Sequence, residues 1–261
     1  MPREGTYLDT IVSAHRQSAE ADTRDLAVLR SQALGMPTPC RGFGRALQES
    51  GLSVIAEIKR RSPSKGALNL DLDPACMAVQ YATGGAACLS VLTDEAHFGG
   101  SAADLQTARN AVPVPVVRKD FTVGEADVYD ARLMGADAVL LIAAVLSDDE
   151  LGRFHRAAGD VDLDVLVEIH DESELARALA VNATLIGVNQ RDLHTFQVDQ
   201  ERAVRVGRSM PSHVVRVAES GVRGPHDART LAAAGFDAVL VGELLVTTDD
   251  PQSMVRSLRA L

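Results

Sequence analysis

Several features that mark particular classes of protein are missing from this chain of 261 residues. There is no tryptophan, so the protein's own fluorescence should be weak. The three cysteines, Cys40, Cys76 and Cys88, show no C-x-x-C spacing, which fits a reduced protein better than a disulfide framework. The longest apolar run, Ala138 to Leu146, is far short of the roughly 20 residues that span a bilayer. Because the N-terminus also lacks the apolar stretch of a signal peptide, we expect a cytoplasmic protein without a membrane partner.

Basic charge is scarce as well. The chain has 26 lysine and arginine residues against 36 aspartate and glutamate residues, which gives a net charge of −10. Such a charge repels nucleic acid and anionic membranes, so we expect no nucleic-acid partner. Any anionic ligand must therefore be bound by groups that are placed locally for it.

Familiar catalytic and nucleotide-binding motifs are also absent. The sequence contains no P-loop, no G-x-S-x-G and no G-x-G-x-x-G after its first strand. The seven histidines form no pair at i, i+3 or i+4, so a zinc site of the H-E-x-x-H kind is not indicated. His170 lies two residues after Glu168 and is interpreted as a bystander in a loop. We expect no metal and no cofactor.

A regular series of short apolar runs is present instead. Turn residues bound each run, and amphipathic stretches such as Ala126–Met134 and Pro225–Ala234 separate them. Strands that alternate with helices favour a parallel sheet, whose strands are covered on both faces and are therefore continuously apolar. The eight predicted strands are Val54–Ile58, Ala87–Leu92, Pro115–Arg118, Ala138–Ile142, Asp164–Glu168, Leu185–Val188, Val214–Ala218 and Ala238–Val241.

An internal repeat favours a closed barrel. Gly135-Ala-Asp-Ala-Val-Leu-Leu recurs as Gly235-Phe-Asp-Ala-Val-Leu-Val, 100 positions later (235 − 135). At roughly 25 residues per βα unit, this offset is four units, or half of a (β/α)8 barrel. An open, doubly wound sheet has similar αβ loops, but eight strands and no dinucleotide fingerprint favour the (β/α)8 TIM barrel.

The first 50 residues predict an additional N-terminal helical segment. Tyr7–Val12 begins one amphipathic helix, Ala19–Gln32 forms a second, charged one, and Gly35–Gly44 is a linker rich in proline and glycine. The segment is too short to have a core of its own. We expect one domain over residues 1–261, with residues 1–50 as the extension and residues 51–261 as the barrel core.

Charged residues follow the predicted strands at the end where barrel enzymes carry their catalytic groups. The first strand is the most informative, because VIAEIKRRSPSKG carries Glu57 and Lys59 just before a polar loop. An unpaired buried ion costs on the order of several kcal/mol, so a site for an anionic, partly apolar ligand is indicated. Any one such charge is usually a solvated loop residue, but together on one rim they indicate a site. The other strand-end residues are Lys119, Glu168, Asn189, Arg191 and Glu219.

Small residues end the last two predicted strands, at Glu219-Ser220-Gly221 and at Gly242-Glu243. Glycine lets backbone N–H groups approach an anion closely, and phosphate sites recur at this position in (β/α)8 barrels. Tight turns alone would also require glycine. Within a barrel, we favour a phosphate site.

The strings at the strand ends together resemble the indole-3-glycerol phosphate synthase family. The resemblance runs from about Val54 to Val246, and the strings follow the family's order. It implies a (β/α)8 barrel with an N-terminal helical segment, in agreement with the pattern of strands. Besides the string at the first strand, those that carry the resemblance are SVLTDEAHFGG, PVVRKDF, LVEIHDESE, GVNQRDLHTF, VAESGV and LVGELL.

The resemblance implies a carboxy-lyase of tryptophan biosynthesis. The family converts 1-(2-carboxyphenylamino)-1-deoxyribulose 5-phosphate to indole-3-glycerol phosphate, with loss of carbon dioxide and water and without a cofactor or metal. Lys119 matches the family's general acid, and we expect apolar walls to lower its pKa. Glu168 matches the acid/base carboxylate, with Glu57, Lys59 and Asn189 as further catalytic residues. The division of the proton transfers among Glu168, Glu57 and Lys59 stays open.

Binding residues are implied in the same way. Arg191 and Asn189 would orient the substrate's carboxylate and hydroxyls, Arg191 through a bidentate fork. The expected substrate-binding residues are Arg191, Ser62, Pro63, Phe98, Phe121, Leu140, Leu193 and Glu219. The expected phosphate-binding residues are Lys59, Ser220, Gly221, Gly242 and Glu243, the last through its backbone N–H.

One departure from the family pattern and two rival interpretations remain. Many relatives have serine where this chain has Leu244, and a lost hydroxyl contact would weaken phosphate binding by about 1 kcal/mol.

A neighbouring barrel, phosphoribosylanthranilate isomerase, uses a cysteine where Glu57 and Lys59 stand. A catalytically inactive barrel would be expected to lack Lys119 or Glu168. We expect a small sugar phosphate as the partner, and a monomer or weak homo-oligomer.

Overall fold

Eight parallel strands close into a barrel in the computed structural model, which describes residues 7–49, 51–192 and 197–259. Each predicted strand overlaps one of them, so the predicted (β/α)8 fold is confirmed. The barrel strands are β1 (Ser53–Ile58), β4 (Cys88–Leu92), β5 (Val116–Lys119), β6 (Ala138–Ile142), β7 (Asp164–Ile169), β8 (Leu185–Asn189), β9 (Val215–Glu219) and β10 (Ala238–Val241). A hairpin of β2 (Arg61–Ser62) and β3 (Gly66–Ala67), not predicted from the sequence, lies in the loop after β1.

Helices connect the strands. Many of them begin at a side chain that accepts backbone N–H groups, such as Asp73, Ser101 and Ser147. Ser147 and Glu150 form a reciprocal capping box, which pairs two donors that a helix start otherwise leaves without partners. The helices are α1 (Tyr7–Ala21), α2 (Leu26–Leu34), α3 (Phe43–Ala46), α4 (Pro74–Gly84), α5 (Glu95–Phe98), α6 (Ala102–Ala111), α7 (Glu125–Leu133), α8 (Asp148–Asp160), α9 (Glu172–Ala180), α10 (Gln200–Ser209), α11 (Pro225–Ala233), α12 (Glu243–Thr247) and α13 (Pro251–Arg259).

The barrel interior changes from apolar to charged along the strands. Ile55, Val117, Leu166 and Val217 are fully buried inside it, each contributing roughly 1.5–3 kcal/mol to stability. Side chains two positions apart on a strand point to the same face. The next inward residues on β1, β5, β7 and β9 therefore form one layer, here called the charged layer: Glu57, Lys119, Glu168 and Glu219.

The boundary between the first two helices differs from the prediction. α1 continues to Ala21 and α2 begins only at Leu26, whereas a second helix was predicted from Ala19. Asp25 accounts for the later start, because its side chain accepts the N–H groups of Ala27 and Val28. The charged character of this stretch did not reveal the helix cap.

The predicted linker ends in the short helix α3. Phe43 of this helix is fully buried with Ile55 and other residues inside the barrel. The backbone N–H of Gly44 donates a hydrogen bond of 2.9 Å to Asp164, the first residue of β7. α3 therefore closes the amino end of the barrel, opposite the charged layer.

Helix α1 lies at the carboxyl end. His15 contacts Asp94 in the loop after β4, and Arg16 donates a hydrogen bond of 2.7 Å to Glu150 and one of 3.0 Å to the carbonyl of Val145. The N-terminal extension thus forms part of the rim around the charged layer. Within the described residues, no helix combines the length and the apolar character required to cross a membrane.

Candidate active site

A cavity of about 670 Å³ opens at the carboxyl end of the barrel. The charged layer lines it together with residues of the loops that follow the strands. It gathers all predicted site residues that the structure describes; Leu193 lies outside the described residues. Those lining it are Glu57, Lys59, Ser62, Pro63, Phe98, Lys119, Phe121, Leu140, Glu168, Asn189, Arg191, Glu219, Ser220, Gly221, Gly242 and Glu243.

Lys119 contacts two carboxylates of the charged layer. Its Nζ lies 2.8 Å from Glu168 Oε2 and 3.4 Å from Glu219 Oε2. The side-chain amide of Asn189 donates a hydrogen bond of 3.0 Å to Glu168 Oε1 and so orients that carboxylate. Strands β5, β7, β8 and β9 thus place one ammonium, two carboxyl groups and one amide within direct contact.

These contacts raise the pKa of Lys119, whereas the sequence led us to expect a lowered one. Burial alone lowers the pKa of this ammonium, but the attraction of Glu168, Glu219 and Glu57 outweighs burial. The sequence pattern indicated apolar walls but not the meeting of three carboxyl groups around one lysine. Lys119 is therefore protonated at neutral pH.

The two carboxyl groups beside Lys119 differ in pKa. Burial favours the neutral form of both. For Glu168, attraction to Lys119 and His170 and the hydrogen bond from Asn189 outweigh burial and lower its pKa to about 2. For Glu219, burial prevails over Lys119, and repulsion by Glu168 adds to it, so its pKa rises to about 8. One ionised and one neutral carboxyl group therefore share the lysine near neutral pH.

Two glycines make room for the carboxyl groups. A Cβ atom on Gly187 of β8 would overlap Glu219 Oε1. A Cβ atom on Gly242 would overlap Glu57 Oε1 and would lie 3.0 Å from Lys59 Nζ. Since Glu57 and Lys59 form a close ion pair at this point, glycine after β10 is required for their packing.

The turn after β9 has an unusual backbone. Ser220 and Gly221 both adopt left-handed angles, with φ of 64° and 73°. Such angles are uncommon for serine and cost free energy, so contacts must stabilise them. The side-chain amide of Gln190 supplies one, a hydrogen bond of 2.8 Å to the carbonyl of Ser220.

Another part of the cavity is apolar. Phe98 follows β4 at the end of α5, and Phe121 follows β5, with ring centroids 6.5 Å apart. We call these two residues the aromatic wall. Leu140 and Pro63 add aliphatic surface. A planar aromatic ligand can pack against such a surface while its polar groups reach the charged layer.

Lysine is rare in this chain, and every lysine lines the cavity. Only Lys59, Lys65 and Lys119 are lysines among the 26 basic residues. Sequence reasoning missed Lys65, although the rarity of lysine was a signal that could have identified it. Lys65 Nζ lies 3.6 Å from Glu243 Oε1, and Arg191 lies 4.0 Å from the other oxygen of Glu243.

Three further residues near the site were not among the predicted site residues. Asp94 and Asp120 line the cavity next to the residues of the aromatic wall. His170 is buried beside Glu168, with Nε2 3.9 Å from Glu168 Oε1. Sequence analysis assigned it no role in the site, whereas the structure shows that its charge helps to lower the pKa of Glu168.

One group among the described residues offers three metal-ligand atoms within 4.8 Å of one another: His15, Asp94 and Asp120. Hydrogen bonds already occupy its carboxylates. Asp94 Oδ1 accepts the backbone N–H of His97 over 2.6 Å, and Asp120 Oδ2 accepts from Arg118 over 3.0 Å. We interpret the group as an ion-pair network beside the cavity.

Nearly the whole chain is similar to one family. A family model described as indole-3-glycerol phosphate synthase matches residues 8–258. Indole-3-glycerol phosphate synthase 1 of Streptomyces coelicolor is 48% identical over 257 residues, which cover 98% of this chain and 95% of that protein. Indole-3-glycerol phosphate synthase of Rhodococcus jostii is 45% identical over 255 residues, which cover 97% of this chain and 94% of that protein.

The fold also has solved counterparts. A crystal structure of 3-hexulose-6-phosphate synthase superposes with a TM-score of 0.62 at 18% identity, covering 80% of this chain and 99% of that one. Thiamine phosphate pyrophosphorylase from Pyrococcus furiosus gives a TM-score of 0.61 at 17% identity, covering 80% and 94%. At this identity, the likeness shows the fold alone.

Proposed function

The chain belongs to the indole-3-glycerol phosphate synthase family, and we propose from this premise how its cavity carries out the family's reaction. The substrate, 1-(2-carboxyphenylamino)-1-deoxyribulose 5-phosphate, has an anthranilate ring at one end and a phosphate at the other. A ring carbon bonds to the ribulose carbonyl carbon, and carbon dioxide and water then leave. The observation that carries the proposal is the contact of Lys119 with Glu168 and Glu219 in a cavity that also holds the aromatic wall.

Lys119 is the proposed general acid for ring closure. As the ring carbon attacks, the carbonyl oxygen gains negative charge and takes a proton from the ammonium. The resting ion pairs keep Lys119 protonated. When a substrate oxygen displaces Glu168 from Lys119, the charge of Glu168 no longer offsets the effect of burial. The pKa of Lys119 then falls, and the ammonium becomes a stronger acid.

Glu168 is the proposed base for dehydration, in which a ring-adjacent proton and a hydroxyl leave. Asn189 orients its carboxylate, and its lowered pKa keeps it ionised. Glu219 is proposed to donate a hydrogen bond to the substrate, since its raised pKa keeps the carboxyl group largely protonated near neutral pH. Glu57 and Lys59, which form an ion pair, are the alternative residues for these proton transfers.

The two ends of the substrate are proposed to bind at different parts of the cavity. The phosphate would lie at Lys59 and at the glycine-containing turns after β9 and β10, as in many barrels of this kind. Leu244, which also lines the cavity, has no hydroxyl to add. Arg191 would pair with the anthranilate carboxylate through its fork, and the aromatic wall would pack on the ring.

We also propose a single domain over residues 1–261, a cytoplasmic location and a monomer or weak homo-oligomer. The extension shares apolar contacts with the barrel, since Leu29 and Phe43 belong to its core clusters. Cys40, Cys76 and Cys88 are free thiols, which is typical of a reducing compartment.

Indole fluorescence on mixing the protein with the substrate tests the proposal, because the chain has no tryptophan. Lys119→Met should lower kcat by about 10²–10⁴-fold, the usual contribution of a general acid. Lys65→Met changes the same residue type at the rim and should keep most of the activity. No turnover by the wild type, or normal turnover by a folded Lys119→Met, would overturn the assignment.

A further inference from the structure

His15 links the N-terminal extension to the cavity at a point that the proposed reaction does not use. Its side chain is 23% exposed, and its Nε2 lies 2.9 Å from Asp94 Oδ2 and 3.9 Å from Asp120 Oδ1. Its ring packs against Phe121 with centroids 5.3 Å apart. One side chain of α1 thus reaches both loops that carry the aromatic wall.

Asp94 holds the first residue of the wall. It directly precedes α5, and its Oδ1 accepts the backbone N–H groups of His97 over 2.6 Å and Phe98 over 3.2 Å. Phe98 is the last residue of this one-turn helix, so any tilt of the helix moves its ring. Because His15 binds the other oxygen of Asp94, it anchors the helix to α1.

Asp120 holds the second residue of the wall. Its Oδ1 accepts the backbone N–H of Phe121 over 2.8 Å, and its Oδ2 accepts from Arg118 and Thr93. A displacement of this turn therefore moves the ring of Phe121. Lys119, which directly precedes Asp120, is held separately by its contacts with Glu168 and Glu219.

We propose that His15 is a positioning residue that sets the spacing of Phe98 and Phe121 for the anthranilate ring of the substrate. It acts through Asp94, through Asp120 and through its packing on Phe121, and it does not touch the reacting atoms. The proposal rests on the proposed function, since that reaction supplies the aromatic ring. A side chain that only stabilised the fold would not change the affinity for the substrate.

The charges around His15 favour its protonated form. The hydrogen bond with Asp94 raises its pKa, burial opposes this effect, and the charge of Asp120 adds to it. The ionisable groups around it from the adjoining elements are Asp94, His97, Arg118, Asp120 and Asp127. Above the pKa of His15 the attraction to Asp120 is lost, so the KM of the wild type should rise with pH.

The test compares His15→Phe with His15→Gln from about pH 6 to about pH 9. Phenylalanine keeps a ring beside Phe121 but has no hydrogen bond, whereas glutamine keeps an uncharged N–H donor for Asp94. His15→Phe should raise KM about five- to tenfold with kcat within about twofold of the wild type. His15→Gln should restore KM to the wild-type value found above the pKa of His15, and should keep only the pH dependence that Glu219 causes. His213→Phe, at an exposed histidine after α10, is the matched control.

An unchanged KM in His15→Phe, or a failure of His15→Gln to restore it, would overturn the proposal. A second measurement distinguishes failure of the positioning role from failure of the proposed function. In it, the six phenylalanines are replaced by 4-fluorophenylalanine and observed by ¹⁹F NMR. If the wild type forms no indole, the proposed function fails. The resonances of Phe98 and Phe121 should still shift with pH in the wild type and not in His15→Gln, and the absence of that difference overturns the positioning role.

Discussion

Lys119 faces two carboxyl groups whose surroundings differ. Glu168 accepts a hydrogen bond from Asn189, whereas Glu219 Oε1 is buried without a hydrogen-bond partner among the described residues. A buried carboxylate oxygen without a donor favours protonation, and one with a donor favours ionisation. The lysine therefore holds its proton mainly through its contact with Glu168.

Replacing Lys119 by arginine distinguishes the role of its positive charge from its role as a proton donor. A guanidinium keeps the positive charge beside both carboxyl groups, but its pKa is too high for it to act as a proton donor. Lys119→Arg should fold normally and lose about 10²–10⁴-fold in kcat. Thermal unfolding and steady-state kinetics measure the two properties. Activity above about a tenth of the wild-type value would mean that the proton comes from another group.

Glu168→Gln tests the carboxylate role. Glutamine has nearly the same shape but no charge, so it cannot act as a base, and most of the activity should be lost. Steady-state kinetics with the exposed Glu201→Gln as control measure the effect. Wild-type kinetics in the folded Glu168→Gln protein would move the essential carboxylate role to Glu57.

At this scale, the sequence predicted which residues meet but not their ionisation. Every described member of the predicted set lines one cavity, because polar residues after parallel strands share one end of a barrel. The direction of the Lys119 pKa shift was mispredicted. It depends on distances to Glu168 and Glu219 that only the closed barrel determines.

Among the elements, β8 affects the site through Gly187, which has no side chain and so leaves room for Glu219. Gly187→Ala should turn the carboxyl group of Glu219 away from its place, since a Cβ atom there overlaps Glu219 Oε1. A small misplacement near the chemistry can cost up to about 10²-fold in rate, so we expect kcat to fall about tenfold or more. Overpacking should also lower the free energy of unfolding by roughly 1–3 kcal/mol.

Gly159→Ala in α8 is the control for this substitution. Apart from the backbone of its own helix, no atom lies within 4 Å of a Cβ at that position. The kinetics should therefore match the wild type, and the stability should be equal or higher by up to about 1 kcal/mol. Kinetics and urea unfolding of both variants decide the matter. Equal kcat in Gly187→Ala and the wild type would show that Glu219 can move without consequence.

Strands were easier to predict than the irregular elements. The barrel strands are continuous apolar runs, a pattern that burial on both faces imposes. The end of α1 and the start of α2 depend on the single cap at Asp25, and the β2–β3 hairpin has only two residues per strand. Features this small leave no periodicity in a sequence.

For the whole molecule, Glu219 links stability to pH. Its pKa of about 8 in the fold lies above the ordinary value of 4.5, so between these values the native state holds a proton that the unfolded chain has released. Wild-type stability should therefore decrease as pH rises through this window. Glu168 has a lowered pKa, and its contribution is lost only as pH falls below about 4.5 toward 2, outside the same window.

Glu219→Gln removes this dependence. Urea unfolding from about pH 5 to about pH 8 should show the variant gaining stability relative to the wild type as pH rises. Glu201→Gln, at an exposed residue of α10, should follow the wild type. A stability difference between Glu219→Gln and the wild type that stays constant with pH would contradict the protonated state of Glu219.

The confinement of lysine to the cavity also affects how the protein can be handled. Apart from the N-terminal amine, the lysine amines are those of Lys59, Lys65 and Lys119, and Lys65 is the most exposed of them. Coupling to an amine-reactive support would attach the molecule by the mouth of its own cavity and block entry.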